Sequence, residues 1–250
     1  MKCNISKISD NSITSFDRET GFSDLVPTCV RFRTIIYMLS LELFDKSFDL
    51  PDFPVRKHIR AIGFSDEACY SSLLSSKFSY SNTFWPDVDI QKIQIHNEFD
   101  FAIASDVFEH VQPPVSNAFS NLFNCIKPGG FVIFSVPFVT DRPDTSEWYP
   151  NLFDYSVIES NSPSSCSPSG QFLLHNTTKD GKPEFFLDPV FHGGPGQAIE
   201  MRVFALQHLK SVISDSGFVI EHIFDQDVPE LGIFWTNSPN SRIMLLRKPA

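Results

Sequence analysis

Apolar and polar positions along this chain alternate between two kinds of run. Residues 99–104, FDFAIA, are nearly all apolar and do not alternate, the pattern of a strand buried on both faces of a parallel sheet. Polar residues begin abruptly after it, at Ser105 and Asp106. From Val115, the apolar residues Val115, Ala118, Phe119, Leu122, Phe123 and Ile126 recur at i, i+3, i+4, i+7, i+8 and i+11, along one helical face. Pro113 and Pro114 suit its first turn. The KPGG at 127–130 is expected to stop it, because proline cannot continue a helix and glycine accepts a positive φ at the cap. Residues 131–136 read as the next buried strand. A β-α-β unit of this kind crosses over right-handed and carries its ligand side at the carboxyl ends of the strands. Residues 106–110 and 137–140 therefore face one crevice.

Upstream, residues 1–24 are rich in Ser, Asp and Asn and read as a mobile leader. Phe32, Ile35, Ile36, Leu39 and Leu43 mark one face of a helix over 31–45, expected to cap the sheet edge. DLPDFP at 49–54 reads as a linker, since residues before proline are driven extended. Residues 58–62 should be the first strand. Gly63-Phe64-Ser65-Asp66 is then the turn into a helix that buries Cys69, Leu73 and Leu74, and Ser65 and Asp66 are suited to capping its free amides. Residues 79–85 read as a second strand. After Val139 the pattern breaks. Residues 141–147 and 161–170 are Pro/Ser-rich loops, while 171–176 and 183–187 flank Asp180-Gly181, a hairpin signal. This region reads as an insertion over the strand ends, where substrate-selecting loops belong. Ala205, Leu206, Leu209, Val212 and Ile213 mark a last helix stopped by Gly217, followed by strands at 218–224 and 242–247. Residues 231–235 lie on the loop between those strands and cover the core. The organisation is an α/β chain with a leader and cap helix at 1–55, and a main domain at 56–250 carrying an insertion at 140–200.

Composition narrows the possibilities. The 250 residues have room for one α/β core plus an insertion, and 42% hydrophobic content with 26 Phe can fill a large interior. A formal charge of -10 without any Lys/Arg run argues against a nucleic-acid partner and fits a cationic ligand better. MKCNISKISDNS lacks the apolar core of a signal peptide and no run reaches membrane-spanning length, so a cytoplasmic protein with no membrane partner is expected. Cys3, Cys29, Cys69, Cys125 and Cys166 are odd in number, widely spaced and without a C-x-x-C pair, which suggests neither a disulfide framework nor a zinc site. Asn4-Ile5-Ser6 and Asn176-Thr177-Thr178 match the glycosylation triplet, which has no meaning without secretion.

DVFEHV after a buried strand, then a helix, then KPGG and a second strand, resembles the second half of a class I S-adenosylmethionine-dependent methyltransferase of the type 11 kind. The resemblance covers residues 59–139, with a weaker return at the C-terminus. It implies a Rossmann-like, doubly wound, mostly parallel seven-stranded sheet with an antiparallel last strand. It also implies S-adenosylmethionine as cofactor and in-line methyl transfer to a small-molecule or sugar acceptor. On this resemblance the cofactor would meet Gly63, Phe64, Ser65 and Asp66 at the first loop, Asn82 and Thr83 at the ribose, Asp89 and Ile90 at the adenine, and Ser105, Asp106 and Val107 beyond the third strand. Two departures stand out: the loop keeps Gly63 alone of the usual G-x-G-x-G, and no acid occupies the ribose position. IGFSD with a downstream FHGG looks like a divergent branch in which the loop reads IGxSD. Asp66 either receives the ammonium of the methionine moiety or caps the helix. Asp87 reads equally as a solvated turn, and Asp100 as structural.

Methyl transfer from a sulfonium chiefly needs alignment and exclusion of water, and requires no metal or covalent residue. A base helps where the acceptor is a hydroxyl or amine, and His110 and His192 are the candidates, with Glu200 or Arg202 near His192 to orient substrate. Each histidine also has a plainer reading, His110 packing beneath the cofactor and His192 hydrogen-bonding its own loop. FHGGPG lacks the Lys and Ser/Thr of a phosphate loop, yet glycines beside a helix start expose backbone amides to a substrate oxygen. The alternative from another class is a non-catalytic scaffold that keeps the fold with a degenerate cofactor site. A nicotinamide-dependent reductase is disfavoured, because neither G-x-G-x-x-G nor a Tyr-x-x-x-Lys pair occurs.

Overall fold

The computed structural model of the chain describes residues 2–9, 18–19, 28–160, 171–236, 238 and 240–250. Helix α1 (Val30–Phe44) comes first, followed by β1 (Arg60–Phe64), α2 (Ala68–Lys77), β2 (Ser79–Thr83) and β3 (Phe99–Ser105). A 3-10 turn (Phe108–His110), α3 (Val115–Cys125) and β4 (Ile126–Ser135) complete the central crossover. Then come β5 (Phe138–Val139), β6 (Ser146–Glu147), β7 (Asp154–Ser160), β8 (Gln171–Thr177), β9 (Pro183–Leu187), β10 (Phe191–His192), β11 (Ala198–Ile199) and β12 (Arg202–Ala205). Helix α4 (Leu206–Asp215), β13 (Val219–Ile223) and β14 (Met244–Arg247) close the chain.

The main sheet has the order β13-β14-β4-β3-β1-β2. Strands β1 to β4 pair in parallel, and β14 runs antiparallel to both β4 and β13. The doubly wound, mostly parallel plan with a reversed last strand is as expected, but among the described residues this sheet has six strands where seven were expected. Residues 84–98 supply turns instead of an outer strand, because Pro86 and a scatter of charged residues leave no apolar run there.

Neighbouring residues of a strand point to opposite faces, and both faces here are covered. Ala61, Phe101 and Ile133 pack with α1 and α2, whereas Ile62, Ala102 and Phe134 pack with α3 and α4. That is why the central strands β1, β3 and the second half of β4 read as nearly all-apolar runs. Helix α1 lies on the sheet face and not at the edge as expected. It is buried well beyond one stripe, because the C-terminal loop covers its outer side. Trp235 Nε1 donates to Thr34 Oγ1 at 2.9 Å, and the Arg33 guanidinium donates to the Gly232 carbonyl at 2.8 Å.

Residues 2–9 do not behave as a mobile leader. Cys3, Asn4 and Ile5 are buried, Asn4 Nδ2 donates to the Arg33 carbonyl, and the Leu50 amide donates to the Asn4 carbonyl. The other leader residues apart from Arg18 and Glu19, the 161–170 loop and Cys166 lie outside the described residues. KPGG does not cap α3 either: Ile126 turns straight to extended backbone (ψ 139), and the glycines fall inside β4. Gly129 sits at φ 76, a backbone conformation that favours glycine, and a Cβ on Gly130 would come within 2.7 Å of the Asp100 carbonyl, so close strand approach explains Gly130 alone.

The insertion holds an antiparallel sheet β7-β8-β9 with the expected Asp180-Gly181 turn, its strand β7 not having been foreseen. Tyr149, Leu152, Leu174, Ile199 and Met201 form its small core. Asn176 is fully buried, donating to the Asn151 carbonyl and to Glu184, so its triplet is closed to modification. FHGGPG is a hairpin turn between β10 and β11, with Gly193, Gly194 and Gly196 at positive φ, and no helix starts beside it. Among the described residues, no helix is long and apolar enough to cross a membrane.

Candidate active site

The carboxyl end of β1 turns sharply at Ser65 (φ 58), whose amide donates to the Thr83 carbonyl at 2.7 Å. This throws the Asp66 side chain inward, where it is 4% exposed and accepts the hydroxyls of Tyr70, at 2.7 Å, and Tyr80. Gly63 is needed for this arrangement, since a Cβ there would collide with the Tyr80 hydroxyl and the Asp66 carboxylate. The cap of α2 is Glu67, with no side-chain hydrogen bond, so neither Ser65 nor Asp66 caps the helix. Burial pushes the Asp66 carboxyl up to about 7, against the opposing pull of the Tyr80 and Tyr70 hydrogen bonds and the Arg31 charge. Phe64 points into the apolar core. Asn82 clasps the Asp66 backbone, accepting from its amide at 2.9 Å and donating to its carbonyl at 2.7 Å. Thr83 Oγ1 donates to the Gly63 carbonyl at 2.8 Å. Both side chains thus hold the loop in shape, which the expectation of diol ligands did not include.

The end of β3 is built around Asp106, itself at φ 57, whose amide donates to the Ser135 carbonyl at 2.8 Å. Ser105 Oγ and Ser135 Oγ lie 2.8 Å apart, and Ser135 Oγ donates to Asp106 Oδ1 at 3.0 Å. Two arginines that sequence reasoning missed close on this carboxylate. Arg18 pairs with Oδ1, and Arg31 Nε lies 3.3 Å from Oδ2 while its Nη1 donates to Ser105 Oγ at 2.8 Å. Arg31 also grips Glu19 through two nitrogens, at 2.8 and 3.0 Å. Burial of Asp106 works against its charge, but Arg31 and Arg18 outweigh it and hold the carboxyl below its usual range. Arg31 did carry a faint signal, a cation in the first turn of a helix, where the macrodipole disfavours it. Arg18 carried none.

Ile90 is buried and its carbonyl accepts from Asn121 at 2.9 Å. Asp89 is partly exposed, accepts the Gln91 amide at 3.0 Å and pairs with Lys92 at 3.1 Å. Asp87 is exposed, and Asp100 is structural, accepting the Arg60 amide and Lys127. Val107 is half-buried against the α3 face.

The two candidate bases come together, with the His110 and His192 rings in edge-to-face contact at 4.8 Å between centroids. His110 Nδ1 lies 2.7 Å from the Ile199 carbonyl, and His192 Nε2 lies 2.9 Å from Glu200. Burial lowers the pKa of His110, with a smaller push from His192. Glu109, between Asp106 and His110, was passed over at the sequence level. It is buried, and burial together with the Asp106 charge raises its pKa well above the ordinary range. Arg202, expected beside His192, is instead committed to Glu147 at 2.7 Å and to the Phe108 carbonyl at 2.6 Å.

A mostly parallel sheet with carboxylates at the carboxyl ends of two adjacent strands is the arrangement in which α/β folds of the nucleoside-binding class hold their ligands. A family model described as a methyltransferase domain matches residues 29–223, and the chain belongs to that family. It is an S-adenosylmethionine-dependent methyltransferase, and S-adenosylmethionine is its cofactor. The non-catalytic alternative is not favoured. Among solved structures it is similar to an S-adenosylmethionine-dependent methyltransferase from Clostridium acetobutylicum, at 12% identity and TM-score 0.47, covering 87% of this chain and 90% of that one. It is also similar to 1,6-didemethyltoxoflavin-N1-methyltransferase from Burkholderia thailandensis, at 10% identity and TM-score 0.42, covering 77% and 72%. No curated protein matches the chain. The donor set fits the cofactor. Asp66 is a buried carboxyl whose charge is opposed by burial and which a cation would relieve.

Proposed function

We propose that this enzyme methylates a small-molecule or sugar acceptor, with the cofactor across the ends of β1, β2 and β3 and the acceptor beneath the insertion. The observation that carries this reading is Asp66, a buried carboxyl bonded to two neutral hydroxyls at the turn where the parallel strands open. Asp66 receives the ammonium of the methionine moiety. Asp89 and Ile90 receive the adenine, and Gly63, Phe64 and Ser65 line the loop through their backbone. Asn82 and Thr83 keep that loop shaped near the ribose. Ser105, Asp106 and Val107 form the floor. When bound, the cofactor supplies a methyl group already activated on a sulfonium. What remains for the chain is to position the acceptor, exclude water and remove a proton. His110 and His192 face each other at the edge of that space, and Glu200 orients His192 while itself accepting from Trp148 Nε1 at 2.9 Å.

The charge of -10 supports an acceptor that is neither nucleic acid nor membrane. Cys3, Cys29, Cys69 and Cys125 are free thiols, in keeping with a cytoplasmic protein. IGFSD and FHGG support a divergent branch in which one glycine suffices, because Asn82 replaces further glycines in fixing the loop. Calorimetric titration with S-adenosylmethionine and S-adenosylhomocysteine tests the assignment. Asp66→Ala and Asp89→Ala should each weaken binding by about tenfold or more. Affinity unchanged in both removes the cofactor assignment. A methyl-transfer screen over hydroxylated and amino small molecules and sugars should find turnover, with His192→Ala lowering kcat.

A further inference from the structure

We infer that Glu109, His110 and His192 form a binding site for a divalent transition-metal ion, a site that the fold assembles from the 3-10 turn after β3 and the β10–β11 hairpin. One ligand atom from each residue lies within 4.8 Å of the others, and His110 Nε2 lies 3.9 Å from Glu109 Oε1. Glu109 is 1% exposed, and neither of its carboxylate oxygens has a hydrogen-bond partner. A buried carboxyl with both oxygens unpartnered is costly in either protonation state, and a cation beside it removes that cost.

The histidines are prepared as ligands. His110 Nδ1 donates to the Ile199 carbonyl at 2.7 Å, which leaves Nε2 with its lone pair. The His192 ring is oriented by Glu200 through Nε2 at 2.9 Å, and Glu200 is oriented in turn by Trp148. Such outer partners are the ones that fix ring orientation and tautomer in metal sites. The backbone fastens the two segments together. The Met201 amide donates to the Glu109 carbonyl at 2.7 Å, and Arg202 Nη1 donates to the Phe108 carbonyl at 2.6 Å. Two imidazoles and one carboxylate suit Zn2+, Fe2+ or Mn2+ and leave coordination positions for an oxygen ligand. Metal bonds of about 2.0–2.2 Å place neighbouring ligand atoms about 3–3.5 Å apart. The three side chains therefore draw in by roughly 1–1.5 Å, within reach of small side-chain rotations. Where the enzyme methylates a hydroxyl, a metal here would hold that oxygen and lower its pKa, so the imidazoles would serve the acceptor through the ion. That last step rests on the proposed acceptor reading, whereas binding of the ion does not.

Cobalt titration of the untagged full chain, with no cofactor or acceptor present, tests the site. The expected result is one Co2+ per chain with visible d–d bands, displaced by Zn2+. His192→Ala and Glu109→Gln should abolish the bands while the circular dichroism stays native, and Glu200→Ala should weaken binding about 10- to 100-fold. Should Glu109→Gln fail to fold, His192→Ala decides alone, since His192 sits on the hairpin with its side chain 37% exposed. Absence of Co2+ and Zn2+ binding at millimolar concentration overturns the site. So does binding that His192→Ala leaves undiminished.

Discussion

Replacing Asp66 by Asn should remove the loss of stability that this carboxyl causes as pH rises. In the folded chain burial pushes the Asp66 carboxyl up to about 7, from an ordinary value of 3.8. A group that binds its proton more tightly when folded makes the native state most favourable below the unfolded pKa. The native chain then holds a proton that the unfolded chain has released, so stability falls as pH rises from about 4 to about 7. The interval is about 3 units at 1.36 kcal/mol each, so full ionisation costs on the order of 4 kcal/mol. Half of that has gone by about pH 5.4. Asn keeps the shape, accepts from one tyrosine and donates to the other, and has nothing to ionise. The assay is urea denaturation of both proteins from pH 4 to pH 8. Subtracting one profile from the other cancels groups such as Asp106, whose depressed pKa contributes in the opposite sense. Asp66→Asn should gain on the parent by on the order of 4 kcal/mol across that range, or roughly 10 °C in Tm for a chain of this size. A difference that stays flat within about 1 kcal/mol refutes the burial of an uncompensated carboxyl.

Cofactor binding should report the same group, because an ammonium beside Asp66 favours its carboxylate. Below about pH 7, calorimetry in buffers of different ionisation enthalpy should therefore show proton release, lost in Asp66→Asn. Gly63→Ala should destabilise by roughly 1–3 kcal/mol and abolish cofactor binding, because the new methyl meets the Tyr80 hydroxyl and the Asp66 carboxylate; a fully stable variant with intact affinity would refute it. Arg31→Met strips Asp106 of one cation and Ser105 of a donor, and should cost roughly 2 kcal/mol by urea denaturation, with no loss ruling out a supporting role. Trp235→Phe removes the buried Nε1–Thr34 hydrogen bond and part of the packing over α1. A loss of about 1–2 kcal/mol is expected, and a neutral result would show that the C-terminal loop does not hold α1 down.

The parts of this architecture legible in the sequence are those where local pattern and tertiary burial coincide. The nearly all-apolar run at β3 and the i, i+3, i+4 spacing of α3 both survive in the structure, because each depends on a face turned to the core. KPGG misled because glycines serve a helix cap and a strand equally well, here Gly129 for its positive φ and Gly130 for close approach to Asp100 on the neighbouring strand, a contact that local sequence does not announce. Residues 2–9 were unreadable for a related reason: Asn4 is held by the backbone of Arg33, a contact with no periodicity to announce it. Of the site, the segments around Asp66 and Asp106 were legible because they follow apolar strands. The meeting of His192 with Glu109 and His110 depends on how the insertion folds back, so its residue types were visible and their proximity was not.

Asp66 and Asp106 are the same residue type, one buried and one half-buried, at the mouths of strands that pair side by side, yet their surroundings shift them in opposite directions, Asp66 up and Asp106 down. Asp106 meets two guanidinium groups and a serine hydroxyl, so its negative charge is already balanced by the chain. Asp66 bonds to two tyrosine hydroxyls, which stabilise a carboxylate without cancelling its charge. A cationic ligand gains more at Asp66 than at Asp106, where it would have to compete with Arg18 and Arg31. On the proposed reading, that difference would set the polarity of the bound cofactor, with its ammonium at the β1 turn and the end of β3 as a neutral floor. Asp106→Asn should accordingly leave cofactor affinity closer to that of the parent than Asp66→Asn does, measured by calorimetry at pH 8 where both carboxyls of the parent are ionised. The reverse ranking would place the cation at β3 and turn the ligand end for end.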